Sequence, residues 1–242
     1  SISQDVGVGV GVGVIAVEAE YTPYTQDYAI FDTRDQLNAI KRAALDLNIN
    51  IKQYTPRSLL NAISAAKNEL QTPEVFSDRV DTYFGEVASR VYFQYMEVLR
   101  ESNALDFDDL LMQTVLMLQR YTEVADKYQQ RFQHVLVDEF QDTNFAQYKL
   151  VQAFAWPQNN IYAVGDPDQS IYAFRGADYR NVLRFERDFP DHKAILLEQN
   201  YRSTQNILDA AMAIINRNPN RTPKALFTDR GAGERLTLYE AY

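Results

Sequence analysis

His134-Val135-Leu136-Val137-Asp138-Glu139-Phe140-Gln141-Asp142 opens on an aliphatic run and closes on two adjacent carboxylates. A short apolar run bounded by polar residues is the pattern of a buried strand, and polar groups at its C-terminal end lie where ligands bind in open α/β sheets. The text downstream alternates in the same way. A helix is expected from about Asn144, an apolar run over 161–164, a helix over 180–189, a run over 194–197, a helix over 203–215 and a last strand over 236–239. This alternation predicts an α/β fold with a parallel sheet.

Upstream the pattern is helical. Thr33 with Gln36 three residues on reads as a capping box, followed by Leu37, Ile40, Ala44 and Leu47 at near-helical spacing. Thr55 before Pro56 and Thr72 before Pro73 place a capping hydroxyl ahead of a proline at the first helical position. The second start is expected to open one long helix reaching about Ser102, with Val80, Val87, Val91, Tyr95 and Val98 on a stripe. Another helix is expected from about Asp106, so residues 33–130 read as nearly all helical. The boundary with the α/β part falls between residues 102 and 132.

The chain has 242 residues, 46% of them hydrophobic, enough to bury a substantial core. No window approaches the roughly 18 uninterrupted apolar residues of a bilayer span. With 24 basic and 33 acidic residues the net charge is −9, so a bulk electrostatic grip on nucleic acid is excluded and any DNA contact must be local. Cysteine is absent and only His134 and His192 supply imidazole, which argues against disulfides and a structural zinc site.

Residues 6–14 alternate valine and glycine. A phosphate-binding loop needs G-x-x-x-x-G-K-[ST], and the first lysine is Lys41. No basic segment precedes the run as in a signal peptide. A β-prone or disordered lead-in is the expectation.

The second strand of interest, Ile161-Tyr162-Ala163-Val164, exits into Gly165-Asp166-Pro167-Asp168-Gln169-Ser170 and continues as Ile171-Tyr172-Ala173-Phe174-Arg175-Gly176-Ala177. A third string is Gln199-Asn200-Tyr201-Arg202-Ser203. Taken in this order with D-E-F-Q-D, these closely resemble motifs II, III and IV of the UvrD/Rep-type superfamily 1 DNA helicases. Residues 63–68 (I-S-A-A-K-N) and 105–110 (L-D-F-D-D-L) also look like that family's helical accessory subdomain; by themselves Lys67 and Asn68 read as surface residues. The resemblance implies a RecA-like P-loop NTPase sheet, an incomplete motor domain, with an inserted mostly α-helical subdomain. It divides the chain into the lead-in 1–26, a helical accessory subdomain 27–115, the later part of the first motor domain 116–200 and the start of the second 201–242.

The resemblance also implies roles. Asp138 would hold Mg²⁺, and Glu139 would be the carboxylate acting on the attacking water. Gln169 would sense the γ-phosphate of ATP, Arg202 would stabilise charge on the transferred phosphoryl group, and Tyr201 would stack on adenine. Tyr172 and Phe174 would stack on single-stranded bases, with Arg175 linking that platform to the nucleotide site. Single-stranded DNA and duplex junctions would be the partners, with DNA-repair or replication proteins beside them, in the cytoplasm at the nucleoid.

The chain carries no G-K-[ST] string, and the valine-glycine run stands where the family has its first strand and P-loop. The sequence therefore reads as the middle of a helicase, for which the resemblance implies ATP-dependent 3′ to 5′ movement on single-stranded DNA, with negligible ATPase activity expected of these residues alone. Two other classes remain open at this point. A metal-dependent nuclease would use Asp138, Glu139 and Asp166, and a non-catalytic DNA- or protein-binding module would keep the architecture without the chemistry.

Overall fold

The computed structural model describes residues 2–171, 177–178, 180–218 and 223–240, with side chains from residue 9 onward. The chain divides into two compact units. One comprises residues 1–166 with 170–185, and the other residues 167–169 with 186–242. The first is a mixed α/β body with two short parallel sheets.

Its helical layer consists of α2 (Thr33–Asp46), α3 (Pro56–Asn68), α4 (Pro73–Ser77) and α5 (Tyr83–Glu101). The apolar stripes of α2, α3 and α5 meet in one core built on Ile40, Ala43, Leu59, Ile63, Val91, Tyr95 and Leu99. Strands β1 (Ala29–Phe31) and β2 (Ala104–Asp106) pair in parallel beside it, Ala29 opposite Ala104. A second cluster joins α1 (Ile2–Val17), α6 (Phe107–Arg120), α7 (Thr122–Arg131) and α8 (Phe145–Ala155) through Val14, Leu111, Val115, Tyr128, Leu150 and Phe154.

The expected starts at Thr55 and Thr72 form, each hydroxyl accepting from the amide three residues on. Three expectations are corrected here. The valine-glycine run is helical, not extended or irregular. A period of two also repeats at four, so Val10 and Val14 share a helical face and pack on the second cluster. A Cβ at Gly11 would lie 2.6 Å from Leu110 O, so glycine there permits close approach to α6. Tertiary packing outweighs the low helix propensity of glycine. The cap of α2 is Asp32 with Asp35, one residue ahead of the expected Thr33 and Gln36 pair, because the Asp32 carboxylate reaches the Arg34 and Asp35 amides at 2.7 and 2.9 Å. The expected single helix over 73–102 is two: α4 ends at Ser77, and Thr82 starts α5 by accepting from Gly85 N.

In the α/β part β3 (Val135–Val137) pairs in parallel with β4 (Ile161–Ala163), and Val135 lies opposite Ile161. The second unit holds α10 (Gln205–Ile215), and α9 (Arg180–Asp188) begins in the first. The strands expected at 194–197 and 236–239 are not formed. Leu197 and Leu238 are largely exposed, and the pairing described in this unit is a single parallel bridge between Gln199 and Phe227. Without a ladder partner an extended segment gains no strand hydrogen bonds.

Candidate nucleotide site

The carboxylate turn is built by the register of β3 and β4. Val164 N donates to Val137 O (2.8 Å) and Phe140 N to Val164 O (2.9 Å), so the two strand exits stay joined past the last ladder pair. Between those bonds the chain reverses at Glu139, whose φ of 51° is in the left-handed region. A non-glycine residue held there is uncommon, and such positions cluster where surrounding contacts enforce them. The enforcing contacts are visible. Asp138 Oδ1 accepts from Glu139 N at 2.9 Å. Gln141, almost wholly buried, donates from Nε2 to Glu139 Oε2 at 2.8 Å and accepts on Oε1 from Asp166 N at 2.9 Å. One amide thus ties the exposed glutamate of the first strand exit to the backbone of the second.

Gly165 makes this possible, since a Cβ there would lie 2.7 Å from Gln141 Oε1. Asp142 follows in the same turn, its N donating to Glu139 O at 2.9 Å. Its Oδ1 is buried without a hydrogen-bond partner, and burial, then the nearby Glu139 charge, pushes its carboxyl upward. Asp138 and Glu139 are both exposed. Their oxygens are hard donors of the kind Mg²⁺ prefers, and that ion is commonly held by one or two carboxylates plus water and phosphate oxygens. Among the described residues no three acidic, histidine or cysteine side chains are grouped to hold a metal by themselves. Asp138 therefore offers a hard oxygen donor that fits a Mg²⁺ ion shared with phosphate oxygens.

Gln169, Tyr201 and Arg202 belong to the second unit. Asn200 Oδ1 accepts from Arg202 N (2.9 Å) and Ser203 N (2.7 Å), a turn that leads into α10. Tyr201 is exposed and donates from its hydroxyl to Gln199 Oε1 at 2.8 Å, while Gln199 Nε2 donates to Asp229 at 2.6 Å. The Arg230 guanidinium donates to the carbonyls of Tyr201 and Arg202 at 3.2 and 2.9 Å. Gln169 ends a short helical turn, Pro167–Gln169, beside Asp168, which pairs with Lys224 at 3.0 Å. Tyr172, Phe174 and Arg175 lie outside the described residues. The turn at 138–142 and the turn at 200–203 are thus each well built within their own unit.

Lys67 is a further correction. Expected at the surface, it is completely buried, with Nζ 2.7 Å from Asp106 Oδ2 and 2.8 Å from Asp109 Oδ2. These two aspartates are the capping box of α6, each also bonded to the other's backbone amide. Tyr95 donates to Asp106 Oδ2 at 2.8 Å. Burial works against the ammonium charge, but Asp106 and Asp109 together raise the Lys67 pKa. Burial and the Asp106 charge push Asp109 up to about 7, and the same two causes push Asp108 up to about 6. A lysine at a helix end gives no sign in sequence of partners 39 and 42 residues away. Gln141 was legible as part of D-E-F-Q-D, but its bridging role depends on the strand register.

The two turns stand in a mixed α/β chain with short parallel strands. Residues 9–190 match the family model for the UvrD/REP helicase N-terminal domain, and residues 195–242 match that for the UvrD-like helicase C-terminal domain. The chain belongs to the UvrD/REP helicase family. It is 48% identical over 214 residues to the ATP-dependent DNA helicase PcrA of Bacillus subtilis, covering 88% of this chain and 29% of that protein. It is 45% identical over 224 residues to PcrA of Leuconostoc citreum (93% and 30%) and 50% identical over 226 residues to the ATP-dependent DNA helicase UvrD1 of Mycobacterium bovis (89% and 29%). It therefore spans about three tenths of the length of these relatives.

Proposed function

We propose that these residues form part of an ATP-dependent 3′ to 5′ DNA translocase and helicase, acting in the cytoplasm at the nucleoid. Residues 116–200 are read as the later part of a RecA-like first motor domain, 27–115 as its helical accessory subdomain and 201–242 as the opening of a second motor domain. The observation that carries the reading is the Gln141 bridge, which presents Glu139 on a strained turn beside the amide of Asp166. A carboxylate held there is suited to orient a water and take its proton, the part general-base catalysis assigns to such a group.

Asp138 would hold Mg²⁺, which supplies charge neutralisation on the phosphate oxygens. Gln169 would contact the γ-phosphate, where an amide can both donate and accept. Arg202 would stabilise the transferred phosphoryl group, and its own backbone amide donates to Asn200 Oδ1. Tyr201, exposed at the same turn, would stack on adenine. Tyr172 and Phe174 would stack on bases of single-stranded DNA, with Arg175 between platform and nucleotide. Duplex junctions are the proposed substrates, and DNA-repair or replication proteins the proposed partners.

Because these 242 residues include no G-K-[ST] string, the chain by itself is expected to hydrolyse ATP negligibly. In the intact gene product, Arg202→Ala is expected to slow DNA-stimulated hydrolysis by about 10³-fold. Nucleotide-independent binding of single-stranded DNA, with no hydrolysis by the unaltered gene product, would instead point to a non-catalytic module.

A further inference from the structure

The carboxylate turn is gripped at its far end as well. Thr143 and Asn144, which lead the turn into α8, are buried, and their oxygens converge on one side chain. Asn181, wholly buried at the start of α9, places Nδ2 at 2.9 Å from Thr143 O, 3.1 Å from Thr143 Oγ1 and 3.1 Å from Asn144 O. Its orientation is fixed, because Arg184 Nη1 donates to Asn181 Oδ1 at 2.6 Å while also pairing with Asp178 Oδ2 at 2.6 Å. Asp178 N donates to Thr143 O as well, at 3.0 Å. From the opposite side Asn144 Nδ2 donates to Asn68 Oδ1, and Asn68 Nδ2 donates to Ser64 O (2.8 Å) on α3 and Asp108 Oδ1 (3.1 Å) on α6. Within the turn, Thr143 Oγ1 donates to Phe140 O at 2.7 Å and Asp142 N to Glu139 O at 2.9 Å. Residue 143 is therefore one hydrogen-bonded turn from Glu139.

We propose that Asn181 and Asn68 are positioning residues that clamp Thr143 and Asn144 from two sides, Asn181 at their carbonyls and Asn68 at the Asn144 side chain, and so fix the carboxylates of Asp138, Glu139 and Asp142 ahead of them. Asp178 and Asn181 on one side and the helical layer on the other then bear on the same turn. One amide reaches three buried oxygens that are also bonded within the turn, to α8 or to Asp178 N, and this shared network makes the clamp stiff. The role in phosphoryl chemistry rests on the function proposed above; the clamp itself does not.

The test is hydrogen exchange across this chain, unaltered and as Asn181→Asp, which keeps the shape and removes both donors. Amides of residues 140–148 are expected to exchange about tenfold faster or more, while those of α2 and α5 stay within about twofold. Mn²⁺ titration of the intact gene product with a non-hydrolysable ATP analogue, followed by electron paramagnetic resonance, is expected to show affinity falling about tenfold in the same variant. Unchanged exchange at 140–148, or equal acceleration throughout the core helices, would overturn the clamp. If Asn181→Asp does not fold, Asn68→Ala decides on the same criteria, since Asn68 is only partly buried. Failure of the unaltered gene product to bind Mn²⁺ in the presence of the analogue, with exchange changed as expected, would count against the nucleotide-site reading and leave the clamp standing.

Discussion

A methyl group added at Gly165 would lie 2.7 Å from Gln141 Oε1 and 3.2 Å from the amide nitrogens of Phe140 and Gln141. None of these is the loose end of a mobile side chain, because Gln141 is held by Glu139 and Asp166. Gly165→Ala is therefore expected to lower stability by about 1–3 kcal/mol in urea unfolding, the usual cost of overpacking, with the largest amide shifts at residues 139–142 and 166. An unchanged midpoint would show that the strand exits are looser than described. Lys67 carries a larger expected effect. Removing its ammonium leaves the buried Asp106 carboxylate without its ionic partner, and breaking a buried pair of this kind costs about 3–5 kcal/mol. Lys67→Met should show that loss as a lowered urea midpoint near neutral pH. Sequence could nominate Asp138 and Glu139, since adjacent carboxylates at a strand exit have a chemical use. It could not nominate Lys67 or Asn181, whose partners are remote in the chain and whose residue types are ordinary on a surface.

At the scale of elements, caps were the most legible features, because a capping hydroxyl or carboxylate acts on amides two or three residues away. Thr55, Thr72, Asp106 and Asn144 all start helices where the sequence places them. The break between α4 and α5 was hidden by an apolar stripe that continues across it, although Thr82 supplies a local start signal. Thr82→Ala is expected to cost about 1 kcal/mol, read as a lowered thermal midpoint and faster exchange at Tyr83–Glu86 amides. The helix α1 was illegible for a different reason. Glycine at alternate positions argues locally against a helix, and the contacts that favour it, Val10 and Val14 on the second cluster and Gly11 against Leu110, are tertiary. The strands anticipated at 194–197 and 236–239 failed in the converse way: apolar text alone supplies no pairing partner. The domain divisions drawn from the family resemblance stay proposals, and limited proteolysis mapping the cleavage points tests them.

For the whole molecule, the buried carboxylates set a pH dependence with a definite sign. Asp109, raised from 3.8 to about 7, keeps a proton in the folded state that the unfolded chain has released. Folding then takes up a proton between about pH 4 and 7, so this group's contribution to stability declines as pH rises through that window. Asp108, raised to about 6, acts in the same direction, whereas Asp106, held low by Lys67 against the cost of burial, acts oppositely below 3.8. Comparing urea unfolding of the unaltered chain and Asp109→Asn from pH 5 to 8 isolates the term: the variant should show the flatter profile, and parallel profiles would contradict the assignment. The net charge of −9 bears on DNA. Binding of single strands by this chain should be weak with a shallow dependence on salt, reflecting few phosphate contacts. The central claim is that the turn at 138–142 is a hydrolytic centre with Glu139 acting on water. Its most direct test is single-stranded-DNA-stimulated ATP hydrolysis by the intact gene product before and after Glu139→Gln. The expected result is a loss of kcat of about 10²- to 10⁴-fold with the thermal midpoint retained; hydrolysis persisting at the unaltered rate would contradict it.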